Sequence, residues 1–197
     1  MMKNIFIQGN NDFVSQFLEF LGERFMFSCT VGVSIAEFLN EQLGLTQDYI
    51  DKRITTIFID GKPVDNITTA FIRPRAILAL SGAMPGLVGA TLRTKSPLAS
   101  FRKTITSHNE NQHLKKRKGI IWIKLFNVLI KELGPLFLKK GIIVSSKSMQ
   151  RFLLSHVTIF WKGCTAIMVD NISMNSQSFR ERDFKSGKVF LKVTSEA

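Results

Sequence analysis

At 197 residues the chain is long enough for one domain or two small ones, and its 45% apolar content is ordinary for a globular protein. The formal net charge is +12, yet residues 1–92 sum to −2 while 93–119 and 120–197 each carry +7. That asymmetry excludes a uniformly acidic or low-complexity chain. It puts a positive field over the middle and the C-terminal half, suited to nucleic acid, an anionic surface or an acidic protein.

In chain order, Asn4–Gln8 reads as a first strand. Asn11 or Asp12 can cap the helix behind it, with Phe13, Val14, Phe17, Leu18 and Leu21 on one face and Gly22 ending it. Arg24–Val33 reads as a second strand. Ser34-Ile35-Ala36-Glu37 has the spacing of a capping box, in which the serine oxygen and the glutamate carboxylate each satisfy a helix-terminal N–H. Gln47–Arg53 reads as an irregular turn or short helix. Ile54–Ile59 is a β-branched and aromatic run ending in Asp60-Gly61, a pair that accepts the positive φ angles of a two-residue hairpin. Pro63 confines the return arm to an edge. Ala76–Leu80 is a short apolar run suited to a buried strand.

Ser81–Ala90 is then almost wholly small or flexible. Its residues Ser81, Gly82, Met84, Pro85, Gly86, Leu87 and Gly89 form a candidate interaction loop, where a partner backbone can approach closely. Residues 93–119 lack apolar periodicity and read as a mobile basic linker. Arg93, Lys95, Arg102, Lys103 and the run Lys115-Lys116-Arg117-Lys118 are its candidate anion-binding residues.

Pattern returns after the linker. Ile120–Phe126 reads as a strand, and Asn127–Lys140 as a helix broken or restarted at Gly134-Pro135. Gly141–Ser145 reads as a strand, followed by a helix carrying Met149, Phe152 and Leu153, capped by Ser146 or Ser148. Val157–Trp161 is apolar. Thr165–Val169 reads as a strand entering the turn Asp170-Asn171, and Lys188–Val193 as a closing strand. Both halves thus run strand, helix, strand, capped helix, strand, turn, strand. Phe6, Ser34, Ile57 and Leu78 correspond to Ile123, Ser148, Ile167 and Phe190, at offsets of 110 to 117 residues.

That element order is similar to the ubiquitin-like β-grasp. Phe58-Ile59-Asp60-Gly61-Lys62-Pro63-Val64, and Leu78-Ala79-Leu80 with Pro85 and Gly86, resemble the strand–turn and tail approach of sulfur carriers. Lys124-Leu125-Phe126 with Leu129, Glu132, Leu133 and Gly134 resembles the opening strand and first helix of such a carrier. The carriers in question are the small subunit of molybdopterin synthase and the thiamine-pathway protein. The resemblance implies an α+β fold of two β-grasp units, 1–92 and 120–197, joined by the linker 93–119. It also implies a place near sulfur-transfer or cofactor-assembly pathways. Carrier chemistry needs a free terminal Gly-Gly, whereas Gly82, Gly86 and Gly89 lie mid-chain and the sequence closes Ser195-Glu196-Ala197.

Other chemistry is sparse. His108 and His113 lie in the linker and His156 has no acidic sequence neighbour. Glu181 and Asp183 alternate with arginines as a self-paired surface turn. Cys29 and Cys164 fall outside any C-x-x-C or zinc spacing and read as buried thiols of a reducing compartment. Trp122 and Trp161 sit in apolar patterns and read as core. The N-terminal MMKNIFIQGNNDF has no signal-peptide core, and the longest apolar run, Ala76–Leu92, is interrupted by Pro85. The expectation is therefore a cytoplasmic, non-enzymatic binding protein without cofactor, metal or transmembrane segment. Its partner is a protein or, as the alternative, nucleic acid or another anionic surface.

Overall fold

The computed structural model describes residues 2–83, 86–93, 115–156, 158–184 and 187–196. Strand β1 (Lys3–Gly9) buries Ile5 and Ile7. The next helix starts one residue earlier than expected. Asn10 Oδ1 accepts from the Phe13 N–H at 2.8 Å, and α1 (Asn11–Gln16) tightens into a 3-10 turn over Phe17–Leu21. After β2 (Phe25–Val31), Ser34 Oγ accepts from the Glu37 N–H at 3.1 Å and opens α2 (Ile35–Glu37), which widens into a π turn over Phe38–Gln42. Only the serine half of the expected capping box acts as one. The Glu37 carboxylate lies 2.6 Å from Lys116 Nζ, a charge-assisted contact stronger than one to a neutral amide.

Helix α3 (Gln47–Arg53) is capped by Thr46 and leads into β3 (Thr56–Ile59). Asp60 (φ 51°) and Gly61 (φ 80°) turn the chain into β4 (Lys62–Pro63), as their sequence demands. Then come β5 (Ile77–Ser81) and α4 (Gly86–Leu92), so helix occupies the second half of the segment expected to be a loop.

Strand β6 (Arg117–Phe126) begins inside the segment expected to be linker, which removes Arg117, Lys118 and Gly119 from it. Most of the remainder, 94–114, lies outside the described residues. Helix α5 (Val128–Lys140) runs uninterrupted through Pro135, contrary to the expected break. Pro135 and Lys131, the residue whose carbonyl loses its intrahelical partner, both lie on the exposed side of α5. β7 (Ile142–Ser145) ends on the true cap of α6 (Ser146–Ser155): Ser145 Oγ accepts from the Ser148 N–H at 3.0 Å. A 3-10 turn over Thr158–Gly163 precedes β8 (Cys164–Val169), β9 (Ile172–Ser173), α7 (Ser176–Arg180) and β10 (Lys188–Ser195). The fold class is α+β. No helix among the described residues is long and apolar enough to cross a membrane.

The chain divides into unit 1 (Met1–Phe25 with Lys131–Ala197) and unit 2 (Met26–Ile130). This division cuts across one between 1–92 and 120–197. Among the described residues, the strand order in unit 2 is β4-β3-β5-β6-β2, and in unit 1 it is β7-β10-β1-β8-β9. One pairing pattern recurs in both. A tight hairpin (β3–β4, β8–β9) sets its first strand antiparallel to a central strand (β5, β1). That strand runs parallel to a second one (β6, β10). The chain supplies these positions differently. Beside its hairpin, unit 2 has the strand that follows in sequence, whereas unit 1 has the N-terminal strand β1.

Each unit has its own buried apolar core. In unit 2, Ile57, Leu78, Leu80, Ile121, Ile123 and Leu125 are at most 1% exposed. In unit 1, Phe17 is fully buried, with ring centroids 4.7–6.3 Å from those of Phe13, Phe20, Phe152 and Phe160.

The second hairpin turn is tied down by charge. Asp170 Oδ1 accepts from the Asn4 N–H at 2.9 Å, and its Oδ2 lies 3.0 Å from Lys3 Nζ. The Asn4 amide, then Lys3, holds the Asp170 carboxyl below the usual carboxylate range. A depressed carboxylate stabilises the fold above its unfolded pKa of about 3.9, and that stability is lost as pH falls through the folded value. Asp170→Asn keeps the positive-φ turn and removes the charge. It should lower the denaturant midpoint at pH 7, and the gap from the parent should close as the pH drops below about 3.9. A gap unchanged down to pH 2 would contradict this role.

Candidate nucleic-acid interface

Strand β6 alternates cleanly. Ile121, Ile123 and Leu125 point into the core, so Lys118, Ile120, Trp122, Lys124 and Phe126 share the opposite face. On that face Ile120 is 39% and Phe126 37% exposed, while Trp122 and Lys124 are half-buried. Register widens the row. Trp122 stands beside Ile77 and Lys124 beside Ala79, with Phe58 of β3 paired with Ala79, whereas beside Phe126 the row ends on Ser81 and Thr56, both buried. Ile77, Ala79 and Phe58 are each half-buried. Lys124 Nζ lies 4.8 Å from the Phe126 ring centroid, a cation–π distance. This face of unit 2 therefore carries the Trp122 and Phe126 rings with Lys124 between them and Lys118 at its far end.

One end of this row is basic. The Arg75 N–H donates to the Ile120 carbonyl at 2.8 Å, and the Trp122 N–H donates to the Ala76 carbonyl at 2.8 Å. These bonds bring the Arg73-Pro74-Arg75 turn to the start of β6, where Lys115, Lys116, Arg117 and Lys118 are all exposed. Lys116 is engaged by Glu37, whose hydrogen bond raises its pKa. The nearest hairpin acid, Asp60, accepts from the Ile77 N–H at 2.8 Å.

The sequence-expected sites fare unequally. Ser81 is 2% exposed and ends β5 opposite Thr56; both hydroxyls are buried without a hydrogen-bond partner among the described residues. Gly82 is buried, and a Cβ there would meet Val128 Cγ2 at 3.2 Å. The base of the expected interaction loop is thus packed inward. Gly86, Leu87 and Gly89 belong to α4, with Gly86 exposed and Gly89 buried, and Arg93 is exposed just beyond it. Met84, Pro85, Lys95, Arg102 and Lys103 lie outside the described residues, as do His108 and His113.

Trp161 is core as expected, at 4% exposure, but Trp122 lies on the outward row of β6. Sequence reasoning misses Lys124 and Phe126 as candidates, along with Arg73 and Arg75. The alternation in Lys118–Phe126 is the signal available for the first two. His156 stacks on Phe152 at 4.1 Å between ring centroids, and its Nε2 lies 3.9 Å from a Glu19 oxygen, an acid remote in sequence. Both cysteines are free, and burial pushes each thiol up to about 11. Cys164 is half-buried rather than buried. Among the described residues no group of three or more His, Cys, Asp or Glu side chains could hold a metal ion.

No protein-family model, curated protein or solved structure matches this chain. The site must therefore be read from its own chemistry: a cluster of guanidinium and ammonium groups at one end of an aromatic-bearing sheet face. Such a cluster attracts phosphates through counterion release and bidentate guanidinium contacts.

Proposed function

We propose that the chain is a non-catalytic binding protein whose unit 2 takes a phosphate-rich polyanion. The observation that carries the reading is the hydrogen bond from the Arg75 N–H to the Ile120 carbonyl, which brings the turn bearing Arg73 and Arg75 beside the first residues of β6, Arg117 and Lys118 among them. These groups are brought together from two segments more than forty residues apart in sequence. The recurring hairpin-and-parallel-pair pattern supports a ubiquitin-like character for both units. It carries no further implication of sulfur transfer, since fold and activity are separable.

The test is the salt dependence of binding to a labelled single-stranded oligonucleotide. Affinity should fall linearly on logarithmic axes, with a slope of about −0.7 for each phosphate neutralised. Joint replacement of Arg73, Arg75, Arg117 and Lys118 by glutamine should flatten the slope by about 0.7 for each phosphate that the variant no longer neutralises. Lys116→Gln should flatten it less than Lys118→Gln does, because Lys116 already faces Glu37. Binding that ignores salt, or a slope untouched by the four replacements, would overturn the reading. It would leave the protein-interaction role, which the exposure of Leu154 (76%) and Ile159 (68%) favours.

A further inference from the structure

We infer that the polyanion is single-stranded nucleic acid, its bases stacking on the outer face of β6. The inference rests on the polyanion reading above and adds the chemistry of the bases to that of the phosphates. A duplex offers phosphates but hides its base faces. An unpaired strand offers both, in alternation along its length. The outward row Lys118, Ile120, Trp122, Lys124, Phe126 offers both kinds of group, with Lys118 at its basic end and Lys124 between the Trp122 and Phe126 rings. Side chains on one face of a strand recur about every 6.5–7 Å, a spacing close to that of bases along an extended strand.

Phe126 is the ring on which the inference chiefly stands. It is 37% exposed at the end of its strand, and Lys124 sits over it. A base stacking on the ring face that Lys124 covers would displace its ammonium, freeing it for the phosphate beside that base. Trp122, four residues back along β6, and Phe58, two strands away and level with Lys124, are both half-buried and extend the face from there. The basic end at Arg73, Arg75 and Lys118 sets the direction from which the strand enters. Charge complementarity favours a polyanion, and an unpaired strand adds base faces that the exposed Phe126 ring can stack on. Base stacking on aromatic side chains is also tolerant of sequence.

The experiment uses the full chain and three labelled 15-mers: oligo-dT, an abasic strand with the same phosphates, and a duplex. Oligo-rU forms a fourth arm that distinguishes RNA from DNA through its 2′-hydroxyl. Oligo-dT should bind more tightly than the abasic strand. Phe126→Ala should weaken oligo-dT binding about 5- to 150-fold, the range for loss of one stacked base, while leaving the abasic strand unchanged. Because Phe126 is exposed, this variant should fold, and an unaltered denaturant midpoint would confirm that. Phe126→Tyr should restore tight binding. Equal affinity for oligo-dT and the abasic strand, or duplex bound as tightly as oligo-dT, would overturn the stacking platform while leaving the polyanion reading intact. Absence of salt-dependent binding in every arm would overturn both.

Discussion

Phe17→Ala should destabilise unit 1 by about 3–5 kcal/mol, the range for truncating a fully buried phenylalanine. The ring has no exposed surface and meets Phe13, Phe20, Phe152 and Phe160. It lies in the 3-10 turn after α1, while two of its partners lie on or just beyond α6, more than a hundred residues later. Truncation therefore removes both transfer energy and the packing that joins the two segments of the unit. The two tryptophans make the measurement local. Trp161 belongs to unit 1 and Trp122 to unit 2, so in a Trp122→Phe background the fluorescence reports unit 1 alone. The denaturant midpoint should fall with an unchanged slope. A loss below about 1 kcal/mol would show that the ring is not packed as described.

Gly141→Ala should cost roughly 2–4 kcal/mol, from two separable causes. Gly141 has φ 96°, in the left-handed region where a Cβ is strained. A Cβ there would also meet the ring of Phe190, whose backbone pairs with Ile143 across β7 and β10. The residue thus ends α5 and lets an aromatic ring lie directly on the backbone. A double-mutant cycle separates the causes. In a Phe190→Ala background the alanine should cost only the backbone share, about 1–2 kcal/mol. An identical cost in both backgrounds would mean that the ring yields freely and that backbone strain accounts for the whole effect.

Much of the local structure is legible in the amino-acid sequence because its causes are local. Asp60-Gly61 and Asp170-Asn171 turn where expected, since few residues accept positive φ twice in succession. Ser34 caps a helix because its oxygen is three residues from the amide it serves. The departures from expectation share a different cause. Glu37 leaves its capping box for Lys116, 79 residues away. Pro135 is tolerated because its side of α5 faces water, a property of packing that the proline does not announce. The Gly-rich stretch after Ser81 has the composition of a flexible loop, yet its second half is helical and its base is packed inward.

The candidate interface divides along the same line. The basic run at 115–118 is visible as composition, and Arg73 and Arg75 are visible as residues. Their convergence is not, because it depends on β5 choosing β6 as its parallel neighbour. Nothing in an isolated alternating strand names its partner: period-two burial states which face is wet and leaves open which edge is shared. By itself the sequence determined the two hairpin turns, the Ser34 cap and an α+β composition, all set within a few residues; the caps of α1 and α6 fell one residue earlier than expected, at Asn10 and Ser145. Only the tertiary structure decided that β1 lies beside β8 and β10 while β6 lies beside β5. That choice turns on the fit of two whole sheet faces, a long-range packing energy that no local window of residues contains.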